Sequence, residues 1–147
     1  MQNQLYVLWV KWIIKNDAGK ILLLKADRSH KPGRAIPIYW DLPGWRQDVW
    51  EKDEETLKRE IQEETWLIDI SIWQHLWYLK MPWHVKYDNW STFRYILSFY
   101  IVNVVWEPEI ILSDEHVLYE WVSKEIFIER TKEKYTDRLE ASIRNSL

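Results

Sequence analysis

Three glycines in 147 residues set the first limit on how this chain can turn. Tight turns that need a positive φ ordinarily use glycine, because it lacks a Cβ, and ordinary chains carry about 7% of it. Against those three glycines stand 12 tryptophans. Glycine therefore punctuates sparingly. Gly19 ends Asn16-Asp17-Ala18-Gly19, Gly33 lies between Pro32 and Pro37, and Gly44 follows Pro43.

The punctuation frames the elements. Tyr6 to Lys15 is apolar and β-branched enough for a strand, and Lys20 to Lys25 returns after the Gly19 turn, giving a hairpin. Asp27 to Ile38 is a loop. Tyr39 to Leu42 is a short strand stopped by Pro43-Gly44, and Gly44 to Lys52 has no periodicity and is expected as a loop. Asp53 is the expected N-cap of a helix to about Thr65, with Glu54 and Glu55 placed well against the helix dipole and Leu57 and Ile61 facing the core. Leu67 to Leu79 is expected as strand and Lys80 to Ser91 as a polar turn. Thr92 to Val105 is a long strand, Glu107 to Glu115 a loop and His116 to Val122 a final strand. Ser123 to Ile126 resembles a helix start, and Glu129 to Arg144 is expected as one charged terminal helix. This order predicts an α+β fold with a mixed sheet between helices. The length suits a single domain over residues 1–147.

Several function classes drop out on composition. With a net charge of −3 and no long basic run, the chain is a poor candidate for gripping a nucleic-acid polymer. A small anionic substrate stays open, because a divalent cation reverses the local field. The chain has no cysteine, which excludes disulfides and zinc–thiolate sites. Met1-Gln2-Asn3-Gln4 carries no signal-peptide pattern, and no apolar run reaches membrane-spanning length, so a soluble cytoplasmic protein is the expectation.

The richest stretch runs from Gly44 to Leu67. On a helix, Glu60, Glu63 and Glu64 project from one face, since i, i+3 and i+4 are neighbours. Three crowded carboxylates repel one another unless a hard divalent cation sits between them. An isolated R-E-x-x-E-E string is usually a solvated face. Here the spacing extends further: seven residues separate Glu51 from Arg59, and Glu60, Ile61, Glu63, Glu64 and Leu67 follow in fixed order. The whole pattern resembles the Nudix box, G-x5-E-x7-R-E-U-x-E-E-x-G-U, where U is a bulky aliphatic residue. Trp40-Asp41-Leu42-Pro43-Gly44 before it is also typical of that family. So are the early hairpin and the late Leu112-Ser113-Asp114-Glu115-His116 leading to Glu120-Trp121-Val122.

The resemblance implies a Nudix-type α/β/α sandwich and a pyrophosphohydrolase acting on a nucleoside diphosphate linked to another moiety. It implies that Glu60, Glu63 and Glu64 bind Mg²⁺ or Mn²⁺, with the Gly44 carbonyl as a further ligand and one glutamate assisting the attacking water. It implies that Arg59 pairs with Glu51 to hold loop against helix. Glu115 lies where many members supply a distal carboxylate, sometimes the general base; a surface loop acid is the plain alternative. Arg46, Phe93 and Arg94 are candidates for contacting substrate, the last two on a strand whose alternation equally suits core and surface. Family members are often dimers, so a homodimer is a further expectation.

The pattern departs from the family at one residue type. Trp45 and Trp66 stand at the two glycines of the box, and Trp50 at a position where the family generally has glycine. Trp12, Trp73, Trp77, Trp83, Trp90 and Trp106 are also expected at strand edges or turns where glycine would be natural, whereas Trp40 and Trp121 suit the family as tryptophan. A gene in which UGA encodes glycine, translated with a code that reads UGA as tryptophan, explains this pattern; UGG codons at 45, 50 and 66 would end that explanation. In that case, restoring glycine at the three positions raises Mg²⁺-dependent hydrolysis by orders of magnitude. The alternative is a diverged member whose tryptophans are genuine and whose fold serves as a catalytically inactive nucleotide-binding or protein-interaction module.

Nothing else in the sequence competes. His30, His75, His84 and His116 lack metal-ligand spacing. There is no G-x-S-x-G elbow, G-x-G-x-x-G turn or Walker loop.

Overall fold

A computed structural model of the chain describes residues 4–30, 38–86, 92–132, 134–135 and 137–147. In chain order the elements are β1 (Gln4–Asn16), β2 (Ile21–Asp27), β3 (Ile38–Asp41), β4 (Gly44–Arg46), α1 (Asp53–Thr65), β5 (Ser71–Lys86), β6 (Thr92–Val104), β7 (His116–Val122), α2 (Lys124–Thr131) and α3 (Asp137–Ser146). Seven strands form one mixed sheet in the order β3-β2-β1-β6-β5, with β4 paired to β1 and β7 to β2. The pairing of β1 with β6 is parallel and runs from Gln4↔Thr92 to Asn16↔Val104. The other pairs are antiparallel.

Helices cover both faces of this sheet, giving the α/β/α sandwich. Ile21 to Leu24 are all fully buried, which accounts for an unbroken apolar run where a one-sided sheet would alternate. Alternation then divides the side chains between two cores. Ile13, Ile21, Leu23, Leu97 and Phe99 pack with Phe127 and Ile128 of α2 and Ile143 of α3. Val10, Trp12, Ile14, Leu22, Leu24 and Val102 pack with Leu57 and Ile61 of α1. No helix among the described residues is long and apolar enough to cross a membrane.

The structure corrects several expectations. Gly44 to Lys52 is not wholly loop: Gly44–Arg46 pairs with Trp9–Lys11. The N-cap of α1 is Lys52, whose N–H donates to Glu55 Oε2 at 3.1 Å; Asp53 is already helical, and its carboxylate accepts from the Gln47 side chain at 2.7 Å and from the Tyr100 hydroxyl. Residues 67–70 are not strand, and β5 continues to Lys86 through the expected polar turn. An edge strand tolerates that composition, Pro82 included, because one side of its backbone need not pair. The expected terminal helix is two helices, broken after Thr131, where Lys134 and Tyr135 turn inward to Asp41.

The tryptophans divide in the same way. Trp12 is not at an edge: it is fully buried inside β1. Trp73 and Trp83 fall at register shifts of β5, where bulges ordinarily favour glycine, and Trp77 adjoins a third. Trp90 lies outside the described residues. Among the described residues only Trp66 and Trp106 combine a side chain with positive φ, at 59° and 74°. Trp45 and Trp50 do not, so the backbone at those two positions asks for no glycine.

Candidate active site

The site is built where α1 meets the turn into β4. Along α1, Thr56, Leu57, Glu60, Ile61, Glu64 and Thr65 are buried. Leu57 and Ile61 fix the helix in the core, and the adjoining stripe carries Glu60 and Glu64, only 4% and 7% exposed. Glu63 points to solvent. Glu64 Oε2 accepts the Gly44 N–H at 3.0 Å, which joins the helix to the turn. Gly44 has φ of +149°, and a Cβ there would stand 2.2 Å from the Val10 carbonyl oxygen and 2.9 Å from Lys11 Cα. Glycine is required at this position for space as well as angle.

Arg59 clamps the preceding loop. Its Nε and Nη2 donate to Glu51 Oε1 and Oε2 at 2.8 and 2.9 Å, and the Thr56 hydroxyl donates to the same carboxylate at 2.9 Å. The remaining nitrogen, Nη1, reaches Glu60 and, at 3.4 Å, Glu63 Oε2. The Arg59 hydrogen bonds hold the Glu51 carboxyl down at about 2. Glu60 and Glu64 shift the other way. Burial raises Glu60 against the opposing pull of Arg59. Burial pushes Glu64 up to about 8, against Lys11 and the Gly44 N–H, with Asp41 and Glu60 adding to the rise.

These two desolvated carboxylates supply a test of fit for a metal. As they stand, no group of three or more His, Asp or Glu side chains among the described residues is close enough to hold an ion. Yet Glu60 and Glu64 are hard oxygen donors whose charged forms are penalised by burial and by each other, and a divalent cation relieves both penalties. The donor set fits Mg²⁺ or Mn²⁺.

The other candidates lie apart from this core. Glu115, at the entry to β7, is held by Arg28 in a two-pronged pair at 2.9 and 2.6 Å. Beside it His116 is buried, which depresses its imidazole to about 4 and keeps it neutral. Arg46 is exposed on β4, in register with Trp9. Phe93 and Tyr95 meet edge to face at 5.4 Å, and Tyr95 meets Trp9 at 5.5 Å. Arg94, between them, projects to the opposite face by strand alternation, and its Nε is buried without a hydrogen-bond partner. Aromatic surface and cation are therefore not brought together. Trp45 tilts against Trp9 at 5.6 Å, while Trp50 is 95% exposed.

Sequence reasoning missed Arg28, Thr56 and the buried pair Lys11–Asp41. The signal for the last was in plain view: a lysine inside the apolar run Val7-Leu8-Trp9-Val10-Lys11-Trp12-Ile13-Ile14 must find a partner or leave the sheet.

Solved structures share this fold. The MutT protein of Methanosarcina mazei Go1 superposes with a TM-score of 0.69 at 22% identity, over 99% of this chain and 95% of that one. An Ap4A hydrolase of C. elegans gives 0.70 at 20% identity, over 94% and 93%. The dihydroneopterin triphosphate pyrophosphohydrolase of E. coli gives 0.72 at 17% identity, over 97% of each chain. At these identities the likeness shows the fold. A comparison with curated proteins gave no match. The sequence model of the NUDIX domain matches residues 8–141, nearly the whole length over which the elements above are laid out, and the chain belongs to the Nudix hydrolase family.

Proposed function

We propose that the chain is a Mg²⁺- or Mn²⁺-dependent pyrophosphohydrolase of a nucleoside diphosphate linked to another moiety. The observation that carries this reading is the pair of buried carboxylates, Glu60 and Glu64, beside the Gly44 turn. They would hold the cation, with Glu63 and the Gly44 carbonyl completing the set from the solvent side and the turn. The bound cation supplies charge neutralisation of the phosphates and acidification of water. One glutamate of the set would take the proton from the attacking water. Arg59 and Glu51 keep the loop against α1. Glu115, tied to Arg28, serves as the distal carboxylate. Phe93 with Trp9 and Tyr95 offers an aromatic surface to a base, and Arg46 a cation to phosphate; Arg94 serves the fold. Water adds across one P–O–P linkage, giving a monophosphate and the phosphorylated remainder. A single domain over residues 1–147, acting in the cytoplasm as a homodimer on small molecules, completes the proposal.

The test is product formation, separated by anion-exchange chromatography, from a panel that includes nucleoside triphosphates, ADP-ribose, a dinucleoside tetraphosphate and dihydroneopterin triphosphate, each with Mg²⁺ and with EDTA. The last two enter because structural neighbours carry those substrates in their names. Metal-dependent turnover that falls by about a hundredfold or more in Glu64→Gln is expected. Turnover indifferent to both changes overturns the assignment. The exposed Trp45 and Trp50 favour a second reading, an inactive interaction module; nucleotide binding without turnover in both the tryptophan and glycine versions selects it.

A further inference from the structure

Lys11 and Asp41 do none of the chemistry proposed above, yet both are buried, at 4% and 7% exposure. Asp41 is saturated with donors. Its Oδ2 accepts from Lys11 Nζ at 3.1 Å and Lys134 Nζ at 2.5 Å, and its Oδ1 accepts from Tyr135 Oη at 2.5 Å and the Leu42 N–H at 2.8 Å. Lys11 also donates to the Leu42 carbonyl at 3.0 Å. The next carbonyl, of Pro43, accepts the Trp12 N–H at 3.1 Å, and the next N–H, of Gly44, is spent on Glu64. The lysine stem presses on the same turn: a Cβ on Gly44 would stand 2.7 Å from Lys11 Cδ.

Residues 41 to 44 are thus gripped one after another. Lys11 holds the turn at two points, its ammonium at Leu42 and its methylenes at Gly44. Apolar packing could fill this space, but it would not fix the height of one N–H above the helix, because only hydrogen bonds are directional at that scale. The same Asp41 carboxylate reaches Lys134 and Tyr135 in the α2–α3 connection. The two helical layers are therefore linked through the sheet by hydrogen bonds from Tyr135 through Asp41 to Leu42, by the backbone from Leu42 to Gly44, and by the hydrogen bond from Gly44 to Glu64.

We infer that Lys11 and Asp41 are positioning residues that orient the Glu64 carboxylate through the Gly44 N–H. The inference rests on the metal-site reading of Glu64, and it deepens that reading by naming the support that sets the ligand's geometry. Supporting residues of this kind commonly change metal affinity by about 10–100-fold when removed.

The three glycines make the test direct, because ¹⁵N-glycine labelling gives only three amide signals, of which Gly44 is one, assigned by triple-resonance experiments. In the full chain, Mn²⁺ is expected to broaden the Gly44 signal. In Lys11→Met the Gly44 amide should exchange at least about tenfold faster, and the Mn²⁺ midpoint should rise by about 10–100-fold. KM at saturating metal should stay put while kcat falls. A folded Lys11→Met with wild-type Gly44 exchange and wild-type Mn²⁺ midpoint overturns the inference. If that variant does not fold, Tyr135→Phe removes only the hydroxyl from Asp41 and must move both readouts in the same direction. Should Mn²⁺ leave the wild-type Gly44 signal sharp, the metal reading fails, and the exchange rate alone still decides whether Lys11 sets the turn.

Discussion

Two turns bound the acidic helix, and they treat side chains in opposite ways. At Gly44, ahead of α1, the backbone lies against Val10 and Lys11, and an added Cβ would meet a carbonyl oxygen at 2.2 Å. At Trp66, which caps the other end, the backbone takes φ 59° and ψ 16° and a full indole stands 65% exposed. The first site lacks room; the second lacks only a comfortable angle. A steric demand of the first kind is close to absolute, whereas a left-handed angle costs a non-glycine residue about 1–2 kcal/mol. This difference explains how the chain tolerates tryptophan where its family keeps glycine. Trp106, at φ 74° and largely exposed, repeats the second case in the loop after β6.

The largest effect should follow from placing a methyl group in the first turn. Gly44→Ala is expected to cost about 3 kcal/mol in urea unfolding, at the top of the overpacking range, and to abolish metal-dependent turnover. A loss below about 1 kcal/mol would show that the turn can shift, and the contrast between the two ends would weaken.

Of comparable size is the pH dependence that the buried Glu64 gives to this end. Its pKa is raised in the folded chain, to about 8 from an ordinary 4.5. Below about 4.5 the carboxyl is protonated in both states and contributes nothing. As pH climbs toward 8 the unfolded chain ionises first, so the metal-free protein should lose stability, by an order of a few kcal/mol across that window. Metal should restore it increasingly at higher pH. Glu64→Gln should flatten the dependence in EDTA, as followed by chemical denaturation from pH 5 to 8.5; an unchanged slope would contradict the burial argument.

Trp66→Gly probes the other end. It should stabilise the chain by about 1 kcal/mol, relief of the angle outweighing glycine's greater unfolded-state freedom. Trp106→Gly should do the same. Destabilisation by either would mean that the indole packs in a way its exposure does not suggest. Smallest is Trp50→Gly, at an exposed site with no special angle, where thermal melts should agree within about 0.5 kcal/mol.

Sequence reasoning reached the parts of this molecule governed by local pattern. The return strand through Ile21 to Leu24 followed from its apolar run after the Gly19 turn, and the extent of α1 from the Asp53 start signal and the spacing of Leu57 and Ile61. The box residues were found by spacing, and Glu51, Arg59, Glu60 and Glu64 do adjoin one another. What escaped depends on distant partners. Residues 44–46 are strand only because β1 lies beside them. Lys80 to Lys86 extend because β6 offers an edge. The last helix breaks because Asp41 draws in Lys134 and Tyr135 from more than 90 residues away. From sequence alone Trp12 reads as a residue of a strand edge or turn, since nothing nearby reveals that α1 covers it.

The parallel pairing of β1 with β6 carries a consequence for how the chain is made. Every rung between them joins the opening segment to one synthesised roughly 90 residues later, a wait of about 4–18 seconds at ordinary elongation rates. Until then Val10, Trp12, Ile13 and Ile14 have no permanent neighbour on that side. One edge of β1 therefore stays unmatched while β2 and β4 are already available on the other, which favours chaperone capture of this stretch during synthesis.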